Sequence, residues 1–338
     1  MAACDCDNIL PQGSVEEQHY DNCRSVWAQR HPTNLPLLKN EDGTIGLKNR
    51  NILNLDEDVL YHLAFTNKSI DLEAKFGDVK FVCTGGTKER LKEFALYMAQ
   101  RLGIKIEGDL RDWAEKSKRF AMYKVGPILA FNHGIGIPSM TIALQEVIKM
   151  LFYAKAKNPI FFRIGTCGGL GVEAGSVVIS KWGLNGYLNK SYDLPVLGKT
   201  YSMPSFLDRR VAQELYLVAK ESKNDFQTYL GGTMGSEDFY RGQARLDGPF
   251  CNHTKEEKMT FLKELASRGV KNIEMEATAF AALMTEAGIR GAIVCVPFLN
   301  RLHGDQVTST KEQLTQWENN PMKVVGDYIV KYYENQNQ

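Results

Sequence analysis

Apolar and polar positions divide the chain into an irregular opening and a patterned remainder. Up to about residue 50 it is polar, with scattered Pro, Asn and Gln and no sustained period. That stretch predicts a mobile arm with a short helix near Glu16–Gln29. From Asp56 the pattern changes. Val79–Cys83 is an apolar run that predicts a buried strand ending in Thr84-Gly85-Gly86. Leu91, Phe94, Ala95, Met98 and Leu102 then recur at helical spacing, and Gly103 marks the stop. Phe120–Tyr123 and Ile128–Asn132, on either side of Gly126-Pro127, predict a hairpin. Pro138 opens a helix rich in Ile, Leu and Val that runs to about Ala156.

Beyond it, an apolar strand through Phe162 ends in Gly165, Gly168 and Gly169, and Ser176–Ser180 reads as another strand. Val211, Leu215, Val218 and Ala219 align on a helix, and Thr254 with Glu257 forms a capping box ahead of Met259, Leu262 and Leu265. Asn272–Met275 is a short strand, Ala277–Ala287 a helix and Ala292–Leu299 an apolar strand. Thr310–Tyr333 closes the chain as a helix interrupted by Pro321. Strands alternating with helices predict an α/β domain with a largely buried sheet. No internal repeat or low-complexity linker follows the arm, which predicts one domain over residues 51–338.

Composition narrows the function classes. The 338 residues are 43% hydrophobic and 24% charged, enough for a sizeable core. Lys and Arg number 41 against 40 Asp and Glu, a net charge of +1 that gives no general attraction for nucleic acid or an anionic membrane. A ligand phosphate must therefore be met by a few placed cations. Among seven cysteines, Cys83, Cys167, Cys251 and Cys295 fall in or beside apolar segments without paired spacing. They predict reduced thiols and a cytoplasmic protein. Cys4-Asp5-Cys6 lacks the second cluster a zinc site needs, so no metal is expected. Neither a signal peptide nor an apolar run long enough to cross a bilayer is visible.

Two glycine stretches invite a dinucleotide reading, but neither has the G-x-G-x-x-G spacing between strand and helix, and no P-loop motif is present. What remains is an arginine beside each: Arg90 after Gly85-Gly86, and Arg163 before Gly165-Thr166-Cys167-Gly168-Gly169. Glycine lets backbone N–H groups close on an anion, and arginine supplies a fork matching phosphate oxygens. Arg163 has two readings here, an anion ligand or a structural partner for a carboxylate such as Glu276. Gln243 and Arg245, close to Phe239, could read a flat ring with acceptor oxygens around an N–H, such as uracil; a surface turn is the alternative. Glu274 and Glu276 sit at a buried strand end, where a carboxylate needs a cation or a sugar's vicinal hydroxyls.

From about Leu55 to Tyr333 the chain resembles the eukaryotic-type uridine phosphorylases of the nucleoside phosphorylase superfamily. The matching pieces, in family order and at family spacing, are DEDVLYHL, FGDVKFVCTGGTKERLKEF, RFAMYKVGP, NHGIGIPS, RIGTCGG, GGTM with DFYRGQARLDG, NIEMEATAF and LNRLHGDQ. The resemblance implies a twisted, mixed central sheet flanked by helices. It implies reversible phosphorolysis of uridine, and possible use of deoxyuridine, with inorganic phosphate as co-substrate and no cofactor. Gly86, Arg90, Arg163 and Thr166 match the phosphate-binding residues, and Arg119 matches one contributed by the neighbouring subunit of a homodimer. His62 matches a histidine that crosses the same interface toward the ribose, which Met275 and Glu276 also contact. Gln243 and Arg245 match the pyrimidine readers, Phe239 the residue packed on the base, and Arg301 a second arginine behind it. Asn300 stands where purine-cleaving relatives carry an acid that protonates the base.

Several positions depart from the family pattern: Asn132, Cys167, Gly235-Ser236-Glu237, Arg241, Pro297-Phe298 and His303. Phe298 would either narrow the base pocket against a 5-methyl group or reshape it. Arg163 beside Cys167 would lower a thiol's pKa; filling a serine's space is the other reading of Cys167. A catalytically silent nucleoside-binding paralogue on the same fold is the competing class, and a hydrolytic nucleosidase a further one. Both leave the phosphate arginines without a purpose.

Overall fold

The computed structural model describes residues 40–336, so the helix expected near Glu16–Gln29 lies outside the described residues. A two-residue ribbon, β1 (Val59–Leu60) with β2 (Phe65–Thr66), opens the patterned region, followed by α1 (Leu72–Phe76). Then come β3 (Phe81–Gly85), α2 (Lys88–Arg101), the hairpin β4 (Met122–Val125) and β5 (Ile128–Asn132), α3 (Ile137–Tyr153), β6 (Ile160–Gly169) and β7 (Val177–Leu184). A second ribbon, β8 (Ser191–Val196) with β9 (Lys199–Pro204), leads to α4 (Arg209–Glu221), β10 (Thr228–Gly235) and α5 (Lys255–Ser267). The chain closes with β11 (Val270–Glu274), α6 (Ala277–Ala287), β12 (Arg290–Asn300) and α7 (Lys311–Gln336).

Eight strands form one mixed sheet in the order β11-β10-β7-β12-β6-β3-β5-β4. Alternation along each strand sends side chains to opposite faces. Val82, Phe161 and Ile293 pack with α1, α3 and α6, whereas Phe81, Phe162 and Val294 pack with α2, α4 and α7. Both faces are therefore covered, as the continuous apolar runs require. Ile45, just before the patterned region, is buried in the first of these cores, and Thr44 bridges to Lys157.

The sheet also curls. β11 pairs with β10 on one edge and antiparallel with the end of β6 on the other, through Asn272 opposite Gly169 and Ile273 opposite Gly168. β11, β10, β7, β12 and β6 thus close into a distorted barrel. Register shifts within β10 and between Pro297 and Asn300 of β12 give the strands the bends this closure needs.

The strand was expected to end at the Gly165–Gly169 stretch, and instead that stretch stays in β6 and pairs. The reason is space rather than backbone dihedral. A Cβ on Gly165 would lie 2.9 Å from an Arg163 guanidinium nitrogen, and one on Gly168 would lie 2.8 Å from Arg301 Cγ. The glycines make room for the Arg163 guanidinium and the Arg301 stem.

Pro321 does not interrupt the last helix either; α7 runs through it. Met322, Val325, Tyr328 and Ile329 beyond the proline are buried in the core, and Asn320 donates to the Gly175 carbonyl at 2.7 Å. Core packing beyond the proline, with the Asn320 bond just before it, outweighs the one backbone bond it removes. The capping box forms as expected: Thr254 accepts from Glu257 N at 3.1 Å, and Glu257 accepts from Thr254 N at 2.7 Å. The β8–β9 ribbon and β10 have no counterpart in the sequence reading. In β10 three glycines obscure the pattern, and Gly232 is obligatory because a Cβ there would lie 2.0 Å from the Trp182 ring.

Candidate active site

The ends of β3, β6 and β12, which run parallel, meet the end of the antiparallel β11 where the barrel closes. Carboxyl ends of strands in open α/β sheets are the usual ligand sites. Here they frame a cavity of about 270 Å³ lined by Gly86, Arg90, Arg163, Thr166, Met275, Glu276, Phe239, Gln243, Arg245 and Arg301. Two of the expected site residues, His62 and Arg119, do not line it.

Arg163 projects from the middle of β6 and is 3% exposed. One terminal nitrogen lies 2.9 Å from a Glu274 carboxylate oxygen, and the other donates to Glu276. Of its two readings, the carboxylate pairing is made, and the same guanidinium still lines the cavity. Burial works against its charge, and the two carboxylates more than offset that, so its pKa is raised. Burial pushes Glu274 up to about 8 despite Arg163. Burial would push Glu276 up too, but Arg163, with His133 and the Gly136 N–H, outweighs it and holds Glu276 below the ordinary carboxylate value. Glu274 accepts from the N–H groups of Glu276 and Ala277, at 3.0 and 2.8 Å, where α6 begins. Its role is to anchor the turn that presents Met275 and Glu276. Arg90, in the first turn of α2, pairs with Glu318 of α7 at 2.5 Å.

The other end of the cavity has a different chemistry. Arg245 is clamped by Asp247, donating from Nε at 2.8 Å, and its guanidinium carbon lies 4.4 Å from the Phe239 ring centroid. Arg301, 1% exposed, donates to the Gln243 backbone oxygen at 2.7 Å and to its amide oxygen at 3.3 Å. Asp305 steadies Arg301 at 3.0 Å and is itself paired with Lys258 at 2.7 Å. This buried chain fixes Gln243, leaving its amide N–H groups as the donors to offer a ligand. Phe239, 44% exposed, closes the mouth as a flat face. A planar, acceptor-rich ring fits such a set. Asn300 is not part of the lining; its oxygen accepts from Gly171 N and Leu302 N at 3.2 and 3.1 Å and shapes the end of β12.

A family model described as the phosphorylase superfamily matches residues 80–330. Uridine phosphorylase 1 of Mus musculus is 42% identical over 291 residues, spanning 86% of this chain and 93% of that protein. The chain belongs to the phosphorylase superfamily, among its uridine phosphorylases. The crystal structure of uridine phosphorylase from Schistosoma mansoni in complex with thymidine matches with a TM-score of 0.83 at 40% identity, covering 85% of this chain and 98% of that one. A further relative, inactive uridine phosphorylase B of Schistosoma mansoni, is 39% identical and spans 83% of this chain and 94% of that protein.

In this phosphorylase-superfamily chain, His62 and Arg119 share one patch away from the cavity. The Ser117 hydroxyl donates to the His62 carbonyl at 2.6 Å and accepts from Arg119 N at 3.1 Å. His62 Nδ1 lies 2.7 Å from a Glu146 carboxylate oxygen, and the Glu146 carboxylate also accepts from the backbone of His62 and Leu63. Arg119 is exposed.

The thiol beside Arg163 is Cys295 rather than Cys167: Arg163 donates to its sulfur at 3.3 Å. The Cys167 thiol donates to Cys295 and, with Arg163, brings Cys295 down to about 7 against its burial. Burial instead raises Cys167 well above the ordinary thiol value. Cys83, Cys167, Cys251 and Cys295 are all free thiols. No helix among the described residues is long and apolar enough to cross a membrane.

One cavity residue was given no role from the sequence. His133, at the end of β5, is 1% exposed and lines the same space. Burial, with the adjacent Arg163 charge, lowers its pKa from 6.5 to about 4. Because the folded value is the lower one, the unfolded chain takes up the proton first as pH falls. Its contribution is full above pH 6.5 and lost as pH falls through about 4. A His133→Gln variant should flatten that part of the acid destabilisation, by up to about 3 kcal/mol. Urea unfolding of both proteins across this range checks it, and parallel pH profiles would refute it.

Proposed function

We propose that the protein catalyses reversible phosphorolysis of uridine to uracil and ribose 1-phosphate, as a pentosyltransferase with no cofactor. The observation that carries this reading is one cavity with two chemically distinct ends. Arg90, Arg163, Thr166 and Gly86 lie at one, and Gln243 and Arg245 under Phe239, backed by Arg301, at the other. Glu276 and Met275 line the same cavity.

Phosphate is the nucleophile, so no protein nucleophile is required. An oxygen of phosphate forms a bond to C1′ as the C1′–N1 bond breaks, through an oxocarbenium-like state. Arg90, Arg163, Thr166 and the Gly86 backbone position phosphate below the sugar. Glu276 accepts from a ribose hydroxyl while it holds Arg163. The electron pair of the broken bond goes to the uracil ring, where Arg245 and Gln243 stabilise the developing negative charge. Met275 packs on the sugar and Phe239 on the base.

The same reading makes the enzyme a homodimer with shared sites, because His62 and Arg119 lie on one patch outside the chain's own cavity. Arg119 would complete the phosphate site of the neighbouring subunit, and His62 would reach its ribose. Free buried thiols fit a cytoplasmic enzyme.

Uracil release from uridine, measured with and without inorganic phosphate, tests the proposal. Release that needs phosphate and yields ribose 1-phosphate supports it. Release without phosphate would make the protein a hydrolase. A protein that binds uridine and never releases uracil would be a silent paralogue.

A further inference from the structure

Within the cavity, among the described residues, buried polar side-chain atoms without a hydrogen-bond partner belong to three residues: Arg90 Nε, Arg163 Nε, and both ring nitrogens of His133. A buried polar group left unpaired is costly, so three together mark a ligand that pairs with them. The two arginine atoms can only donate, which makes the missing partner an acceptor.

The backbone of His133 is locked beside the phosphate end. Its N–H donates to Gly85 O at 2.8 Å, its carbonyl accepts from the Ser139 hydroxyl at 2.7 Å, and the next N–H, of Gly134, donates to Gly86 O at 3.1 Å. Two residues on, Gly136 N donates to Glu276. The imidazole is thus held by the loop that joins the Gly85-Gly86 stretch to the Arg163–Glu276 pair.

We infer that His133 is a further phosphate-binding residue, whose neutral imidazole donates an N–H to a phosphate oxygen held by Arg90 and Arg163. The inference rests on the phosphorylase reading above. A neutral donor suits the position. A third full charge against Arg163 in a buried site would be repelled and poorly solvated, whereas an imidazole N–H orients the anion without adding charge. The charged groups that bear on the ring are Arg163 and Glu276, and burial with Arg163 keeps it neutral through the physiological range.

The test is steady-state kinetics of His133→Leu, which fills the site without a donor, and His133→Gln, which restores an N–H. The leucine variant should raise KM for phosphate about ten- to a hundredfold, the range for one hydrogen bond to a charged group, with KM for uridine near the native value. The glutamine variant should recover most of that loss. An unchanged phosphate KM in the leucine variant, an equal rise for uridine, or no recovery with glutamine would each overturn the inference. Should the leucine variant fail to fold, the native enzyme labelled with 15N-histidine still decides it. Inorganic phosphate should shift the His133 ring resonances, and an unmoved ring overturns the assignment. Failure of the underlying reading looks different: native enzyme would then release uracil without phosphate, or not at all.

Discussion

Arg163→Ala is expected to lower kcat/KM for phosphate-dependent uracil release by roughly 10³-fold or more, the upper range for deleting one buried charge-stabilising donor. The variant removes the guanidinium that lines the cavity and strands two buried carboxylates at once. Glu274 and Glu276 are each 4% exposed and both rest on Arg163. Breaking a buried ion pair from one side costs about 3–5 kcal/mol, so a drop in stability should accompany the loss of activity. The two effects can be separated. Burial already pushes the Glu274 carboxyl up to about 8, so without Arg163 it should take up a proton readily. An Arg163→Ala/Glu274→Gln double variant should therefore regain much of the stability and none of the activity. Urea unfolding beside kinetics reads both. A double variant that recovers phosphate-dependent turnover would show that Arg163 only holds the fold.

Arg119→Ala alone should be nearly inactive, and mixing it with Arg163→Ala should restore activity. Arg119 lies outside the cavity of its own chain, on the patch tied through Ser117 to His62. In an isologous dimer each site would take Arg163 from one subunit and Arg119 from the other. A mixed dimer of the two inactive variants then holds one intact site and one doubly damaged site. With random exchange, half the dimers are mixed, and about one quarter of the native activity should return. Activity measured after joint refolding, against each variant refolded alone, checks this. No recovery from a verified mixed dimer would mean that Arg119 serves its own chain or no site.

Much of the architecture was legible because it follows from local chemistry. The helical spacing of Leu91, Phe94, Ala95 and Met98, the Thr254–Glu257 capping box, and the limits of Ala277–Ala287 are short-range features that a sequence carries openly. Where the expectation failed, a distant contact had decided. Pro321 reads as a break until the core around Met322 and Tyr328 is seen to hold the helix together across it. Gly165–Gly169 reads as the end of a strand until Arg163 and Arg301 are seen to occupy the space the glycines leave. β10 disappears behind its own glycines until Trp182 is found above Gly232.

The site divides in the same way. By itself the sequence determined the chemical vocabulary: arginines beside glycines, a glutamine–arginine pair near a phenylalanine, and carboxylates at a strand end, in an order matching one enzyme family. Those are choices of residue type, which a one-dimensional string records in full. Only the tertiary structure decided which of them meet. It brought ten expected residues to one cavity, put His62 and Arg119 elsewhere, and tied Arg163 to both glutamates. It also moved the arginine-linked thiol from Cys167 to Cys295 and showed both ring nitrogens of His133 without a hydrogen-bond partner. The physical reason is the curling of the sheet. Antiparallel pairing of β11 with the end of β6 joins residues more than one hundred positions apart, and no local pattern encodes that closure.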